Sequence, residues 1–156
     1  MGVRTLSEYL LTYLWVGMEC VAAVLLFDAF SQRKKRQIAH WISVAWFSFL
    51  DATFLNLMSP NIANFGKIVI ALAVYYSLHR LLYVGKRIFS LYIAVIFYAT
   101  ICCIDNIWFA FWVLILGIQN GSSFSQTFVS GFLMHCLMLA SCYLQLLIRK
   151  HNQNQT

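Results

Sequence analysis

The chain has 156 residues, of which 62% are hydrophobic, 17% aromatic and 10% charged, with a mean hydropathy of +0.74. A water-soluble domain of this length needs far more charge to cover its surface. The composition therefore excludes a soluble enzyme and leaves room for at most five or six membrane spans of roughly 20 residues.

The first apolar run covers residues 7–30 and ends at Ser31-Gln-Arg-Lys-Lys-Arg-Gln37, a link too polar to stay in lipid. Its apolar core is long for a cleaved signal and its basic cluster follows the core instead of preceding it, so a retained helix is expected. The second run, 38–58, stops at Ser59-Pro60-Asn61, the one proline in the chain and a helix break. The third covers 63–82 and leads into Tyr83-Val-Gly-Lys-Arg87. Residues 88–118 follow, a length of about 46 Å as a helix, and two spans with a turn would need roughly 40 residues. Asp105-Asn106 has no Gly or Pro beside it, so one long helix is expected there. The last run, 125–148, meets Arg149-Lys150.

The expected fold is an all-α polytopic membrane protein, a bundle of five transmembrane helices in one domain over residues 1–150, with 151–156 as a polar cytoplasmic tail. The basic residues set its orientation. With the N-terminus outside and the C-terminus cytoplasmic, Arg33, Lys34, Lys35, Arg36, Arg80, Lys86, Arg87, Arg149 and Lys150 lie inside, and only Arg4 and Lys67 lie outside. That asymmetry is the positive-inside pattern of a multi-pass protein of the cell membrane. It also accounts for the net charge of +6 without nucleic acid, because the charge is gathered into links and not spread over a surface.

A carboxyl group at bilayer depth is costly and faces a bundle interior or a cavity. Glu19, Asp51 and Asp105 each lie well inside an apolar run, and together with His135 they are expected to line a polar interior. In the five-span arrangement Asp28, His40, His79 and Arg80 fall near the cytoplasmic interface, Glu19 and His135 near mid-bilayer, and Asp51 and Asp105 in the outer half. Pairs such as Asp28 with Arg80, and His135 with Glu19 or Asp51, would offset burial. The external links, 59–62 and 119–124, are too short for a binding domain, so an external ligand is expected in the mouth of the bundle. Phe65, Trp108 and Phe128 are its predicted contacts, Trp108 lying one helical turn from Asp105.

Catalytic and metal signatures are missing. His135 and Cys142 share a helix face at seven-residue spacing, but the thiol is deep among apolar neighbours, a setting that disfavours thiolate. His40, His79 and His135 lie on three different helices with no ligand spacing. The five cysteines lack a CxxC pattern and are expected as small buried hydrophobes. There is no phosphate-binding loop, serine elbow or HExxH. No enzyme, metal or cofactor is expected.

The layout resembles the sensor region of accessory-gene-regulator-type receptor histidine kinases, the GHKL group of Gram-positive bacteria. The similar elements are Phe27-Asp-Ala-Phe30 ahead of Arg33-Lys-Lys-Arg36, and Leu81-Leu-Tyr-Val-Gly-Lys-Arg87 leading into a long helix with Ile104-Asp105 inside and Leu116-Gly117-Ile118 at its end. The closing Leu147-Ile-Arg-Lys150 is similar too. These receptors continue into a dimerisation helix and an ATP-binding domain, whereas this sequence stops at His151-Asn-Gln-Asn-Gln-Thr156. The resemblance implies a membrane sensor of secreted, often cyclic, peptide signals that relays inward through its last helix, here without a kinase of its own. The partners it implies are the lipid bilayer, a small peptide ligand, a histidine kinase or other membrane protein, and a second copy of the chain. Two alternatives stand beside it: a substrate-capturing membrane subunit of a transporter, which six spans would favour, and a membrane scaffold or immunity protein.

Overall fold

In lipid every backbone N–H and C=O must be satisfied within its own segment, which leaves the helix as the default for each apolar run. The computed structural model has five helices and describes residues 6–34, 37–58, 64–116 and 124–153. They are α1 (Leu6–Phe30), α2 (Gln37–Met58), α3 (Asn64–Leu82), α4 (Arg87–Leu116) and α5 (Phe124–Gln153). Four of them carry stretches long and apolar enough to cross a membrane: Tyr9–Phe30, Ile38–Leu57, Arg87–Phe111 and Val129–Asn152. In α3 the apolar stretch is the shorter Ile68–Leu82. Large side chains such as Ile38, Trp46, Ile88, Ile107 and Leu114 are exposed along the outer faces, as the surface of a lipid-embedded bundle requires.

Within the expected 88–118 run one helix spans Arg87–Leu116, and 117 and 118 lie outside the described residues. Asn106 does not break it because its side-chain amide donates to Cys102 O at 2.7 Å within the same helix. The last helix runs through His151 to Gln153, five residues past the expected apolar end, so its final turn is polar.

The link after α1 folds back on the link after α3. Lys34 N donates to Leu82 O at 2.8 Å and Val84 N to Gln32 O at 2.9 Å, an antiparallel bridge centred on Arg33 and Tyr83. The α1–α2 and α3–α4 links therefore share one end of the bundle. The C-terminal turns of α5 reach that end too, with the Arg149 guanidinium 5.3 Å from the Phe30 ring centre. Described basic residues at this end include Arg33, Lys34, Arg80, Lys86, Arg87, Arg149 and Lys150, and it is called the basic end below.

The core is aromatic. Phe27 meets His79, Tyr83 and Phe97 edge-on, with ring centres 5.0, 5.7 and 6.1 Å away, and Phe97 meets Tyr75 at 4.8 Å. Edge-to-face contacts of this kind add to the dispersion energy that holds helices together where no water is displaced between them. Ala22, Ala23 and Ala94 are fully buried, and their small side chains allow the close approach. Among the described residues α5 packs chiefly along α1 and only lightly on α4.

Candidate functional site

Two polar clusters lie in the bundle, and they are built differently. The first closes the basic end. Asp28, one turn from the end of α1, accepts from Arg33 Nε at 2.6 Å and pairs with the other arm of the same guanidinium. It also accepts from Tyr83 OH at 2.9 Å. Arg80, the partner expected for Asp28, instead donates to Gly85 O at 2.7 Å. The folded-back link is the reason: it turns Arg33 onto the carboxylate only five residues upstream. Hydrogen bonding to Asp28 raises the Arg33 pKa. Burial first, and the Asp28 carboxylate second, push the Tyr83 phenol far above its usual range, so both groups remain donors.

His79 extends this network. It is fully buried, with Nε2 2.9 Å from Ser31 Oγ and Nδ1 3.0 Å from Ser90 Oγ, and its ring stacks on Tyr83 at 5.2 Å. One imidazole thus ties the first link to the start of α4. Lys34 Nζ adds a bond to Arg80 O at 2.8 Å. Among the described residues, no hydrogen bond of this cluster reaches α5.

The second cluster is a seam between α1 and α5 at mid-span. Glu19 Oε2 accepts from Tyr75 OH at 2.9 Å, and Oε1 lies 3.4 Å from His135 Nε2. His135 Nδ1 donates to Gly131 O at 2.8 Å. With Nδ1 committed to that carbonyl, Nε2 can bond the carboxyl only if one further proton is present, on the imidazole or on Glu19. At 3.4 Å Nε2 is an ion-pair neighbour of the carboxyl without a hydrogen bond to it. The Trp15 ring stacks on His135 at 4.8 Å and 18° and lies over Gly131, where a β-carbon would come within 3.1 Å of Trp15 Cζ2. Gly131 is the opening through which α1 and α5 approach. Gly131→Val should lower stability by about 1–3 kcal/mol through overpacking, read as thermal unfolding in detergent, and Trp15→Ala in the same chain should recover part of the loss.

Of the two partners expected for His135, Glu19 approaches it at 3.4 Å and Asp51 does not. Asp51 is buried, 3% exposed, and its Oδ1 has no hydrogen-bond partner among the described residues. It lines a separate cavity of about 260 Å³ between α2 and α3 with Phe54, Ile70, Val74 and Ser77. Asp105 is exposed on α4 and acts on Glu19 and His135 only through space. Trp108 donates to Ser130 Oγ at 2.8 Å and stacks on Phe111 at 5.5 Å, which joins α4 to α5. The side chains of Phe65 and Phe128 lie outside the described residues. Cys142 is buried with no bond to His135, and no cluster of three or more metal-ligating side chains occurs among the described residues.

The larger cavity, about 530 Å³, opens between α1 and α2 with Leu139 of α5 at its edge. Gly17, Val21, Val44, Ala45 and Trp41 line it, and Ser48 and Tyr13 supply its only hydroxyls. Tyr13 OH lies 3.1 Å from Thr53 Oγ1. Sequence reasoning missed Trp15, Tyr75, Tyr83 and Gly131. Only Gly131 left a signal, as a lone glycine inside an apolar helix. Compared with known proteins, the chain matches no family model, no curated protein and no solved structure.

Proposed function

We propose that the chain is a membrane sensing module with α5 as its output helix. The observation that carries this reading is the mode of attachment of α5. The ends of α1, α3 and α4 are hydrogen-bonded together at the basic end and His40 of α2 approaches Tyr83 OH at 3.5 Å, whereas α5 packs along α1 at the Trp15, Glu19 and His135 seam and bonds to α4 through Trp108 and Ser130. A helix that stands outside the basic-end hydrogen-bond network is one whose position a ligand can bias, because a ligand shifts an equilibrium by its differential affinity for two states. The apolar cavity between α1 and α2 touches α5 at Leu139. It suits an apolar or amphipathic signal, a lipophilic peptide included, entering from the bilayer. The enzymatic step of signalling then falls to a partner or to a further domain.

The same reading includes five spans with the basic end in the cytoplasm. Support comes from the link pairing: since the chain is back at the same end by Tyr83, α3 must undo whatever crossing α2 makes. At 19 residues α3 measures about 28 Å, close to the hydrocarbon thickness. In a background with the native cysteines replaced, Gln32→Cys and Val84→Cys should react with a membrane-impermeant maleimide from the same, cytoplasmic, side. Leu57→Cys, near the opposite end, should not. Reaction of positions 32 and 84 from opposite sides would break this topology.

The test of the function is affinity capture of the full chain from its native membranes in mild detergent, read by mass spectrometry. Recovery of a histidine kinase or other signalling enzyme is the expected result. Recovery of a transport ATPase with its coupling membrane subunit would replace the sensor reading with a transporter one.

A further inference from the structure

At the basic end a cleft of about 460 Å³ lies between the close of α1, the α3–α4 link and the last turns of α5. Its apolar wall is Phe30, Val84 and Leu146, and its polar side is Ser31, Gln32, Arg149 and Lys150. Asp28 also borders it, but that carboxylate is occupied by Arg33 and Tyr83. Arg149 is half-buried and Lys150 exposed, and among the described residues neither has a carboxylate partner. The Arg149 guanidinium lies over the Phe30 ring, a contact that uses its face and leaves its N–H edge available. The Ser31 hydroxyl is taken by His79, so the cleft joins two unneutralised cations and an amide beside exposed apolar side chains, Phe30 at 45%, Leu147 at 44% and Ile148 at 53%.

We propose that this cleft binds a phosphate group through Arg149 and Lys150, with the Gln32 amide as a hydrogen-bond donor. A planar guanidinium matches two phosphate oxygens and an ammonium adds a point charge. The phosphate belongs either to the headgroup of an anionic lipid, whose chains lie along Leu147 and Ile148, or to a soluble phosphate. A bound phosphate bridges the end of α1 to the end of α5, the two elements that the mid-span seam also joins. The site does not depend on the sensor reading, because it rests on the cleft and its charges alone.

The test uses the full chain in nanodiscs of phosphatidylcholine alone and of phosphatidylcholine with phosphatidylglycerol, with thermal unfolding and native mass spectrometry as readouts. Phosphatidylglycerol should raise Tm and remain bound in the native spectrum. The double substitution Arg149→Gln, Lys150→Gln should weaken retention about thirty-fold. Lys86→Gln with Arg87→Gln, at the same end but outside the cleft, should leave it unchanged. If inorganic phosphate titrated into the phosphatidylcholine nanodiscs binds saturably, and the Arg149 and Lys150 substitutions abolish that binding, the source is soluble phosphate. Failure of both probes to bind the native chain overturns the proposal, as does an equal loss with the Lys86 and Arg87 pair.

Discussion

Asp28→Ala should cost about 2–3 kcal/mol of stability. The single carboxylate neutralises Arg33 and accepts from Tyr83, so its removal strands a guanidinium and a buried phenol together. Breaking a fully buried pair costs about 3–5 kcal/mol. The Arg33 side chain is 33% exposed and that of Asp28 12%, so water recovers part of the loss and the lower figure applies. Arg33→Ala alone should cost only about 1 kcal/mol, because Asp28 keeps the Tyr83 donor. The double substitution should then be less damaging than Asp28→Ala alone, since no orphaned charge remains. A double-mutant cycle in reversible denaturation gives the coupling directly. Additive costs would mean that the Arg33 contact contributes nothing.

Glu19→Leu should cost about 1–2 kcal/mol, because it leaves the buried Tyr75 hydroxyl without its acceptor and removes the carboxyl 3.4 Å from His135 Nε2. Glu19→Gln keeps a hydrogen bond to Tyr75 OH and should cost about 0.6 kcal/mol, the usual scale of polar contacts between membrane helices. The more informative variant removes the whole seam. Glu19→Leu, Tyr75→Phe and His135→Leu in one chain leave no stranded polar group, and well-packed apolar replacements of buried ionic groups are often neutral or stabilising. A triple variant as stable as the native chain, yet unable to transmit a signal, is the expected outcome. A triple variant less stable than Glu19→Leu alone would assign the seam to folding.

Helix positions were legible because lipid imposes one rule and the polar links obey it. Ser31–Gln37 and Tyr83–Arg87 stop apolar runs, and the observed helices end within a residue or two of them. The unity of α4 followed from the lack of Gly or Pro near Asp105. The pairing of Glu19 with His135 was legible too, since each needs a partner at a similar depth.

Side-chain partners set by backbone pairing were not legible. Asp28 was expected to reach Arg80, but the two short links bond to each other and bring in Arg33, a contact no periodicity reveals. Tyr75 and Tyr83 carry no signal in the sequence that sets them apart from the other tyrosines, and both are 1% or less exposed at the hubs of the two clusters. The expected aromatic mouth illustrates a different gap. Trp108 bonds to Ser130 and braces α4 on α5, because an indole N–H in lipid takes the nearest acceptor.

The proposed sensor role requires α5 to move as a unit against a frame of α1 to α4. Double electron–electron resonance between spin labels at Leu81→Cys and Leu147→Cys, with the native cysteines replaced, tests it most directly. Both positions are more than 40% exposed and lie near the basic end, one on the frame and one on α5. Glu19→Gln with His135→Gln should broaden or shift that distance distribution, while a frame pair, Ile38→Cys with Leu81→Cys, stays unchanged. An unaltered Leu81–Leu147 distance, or equal broadening of both pairs, would contradict the account.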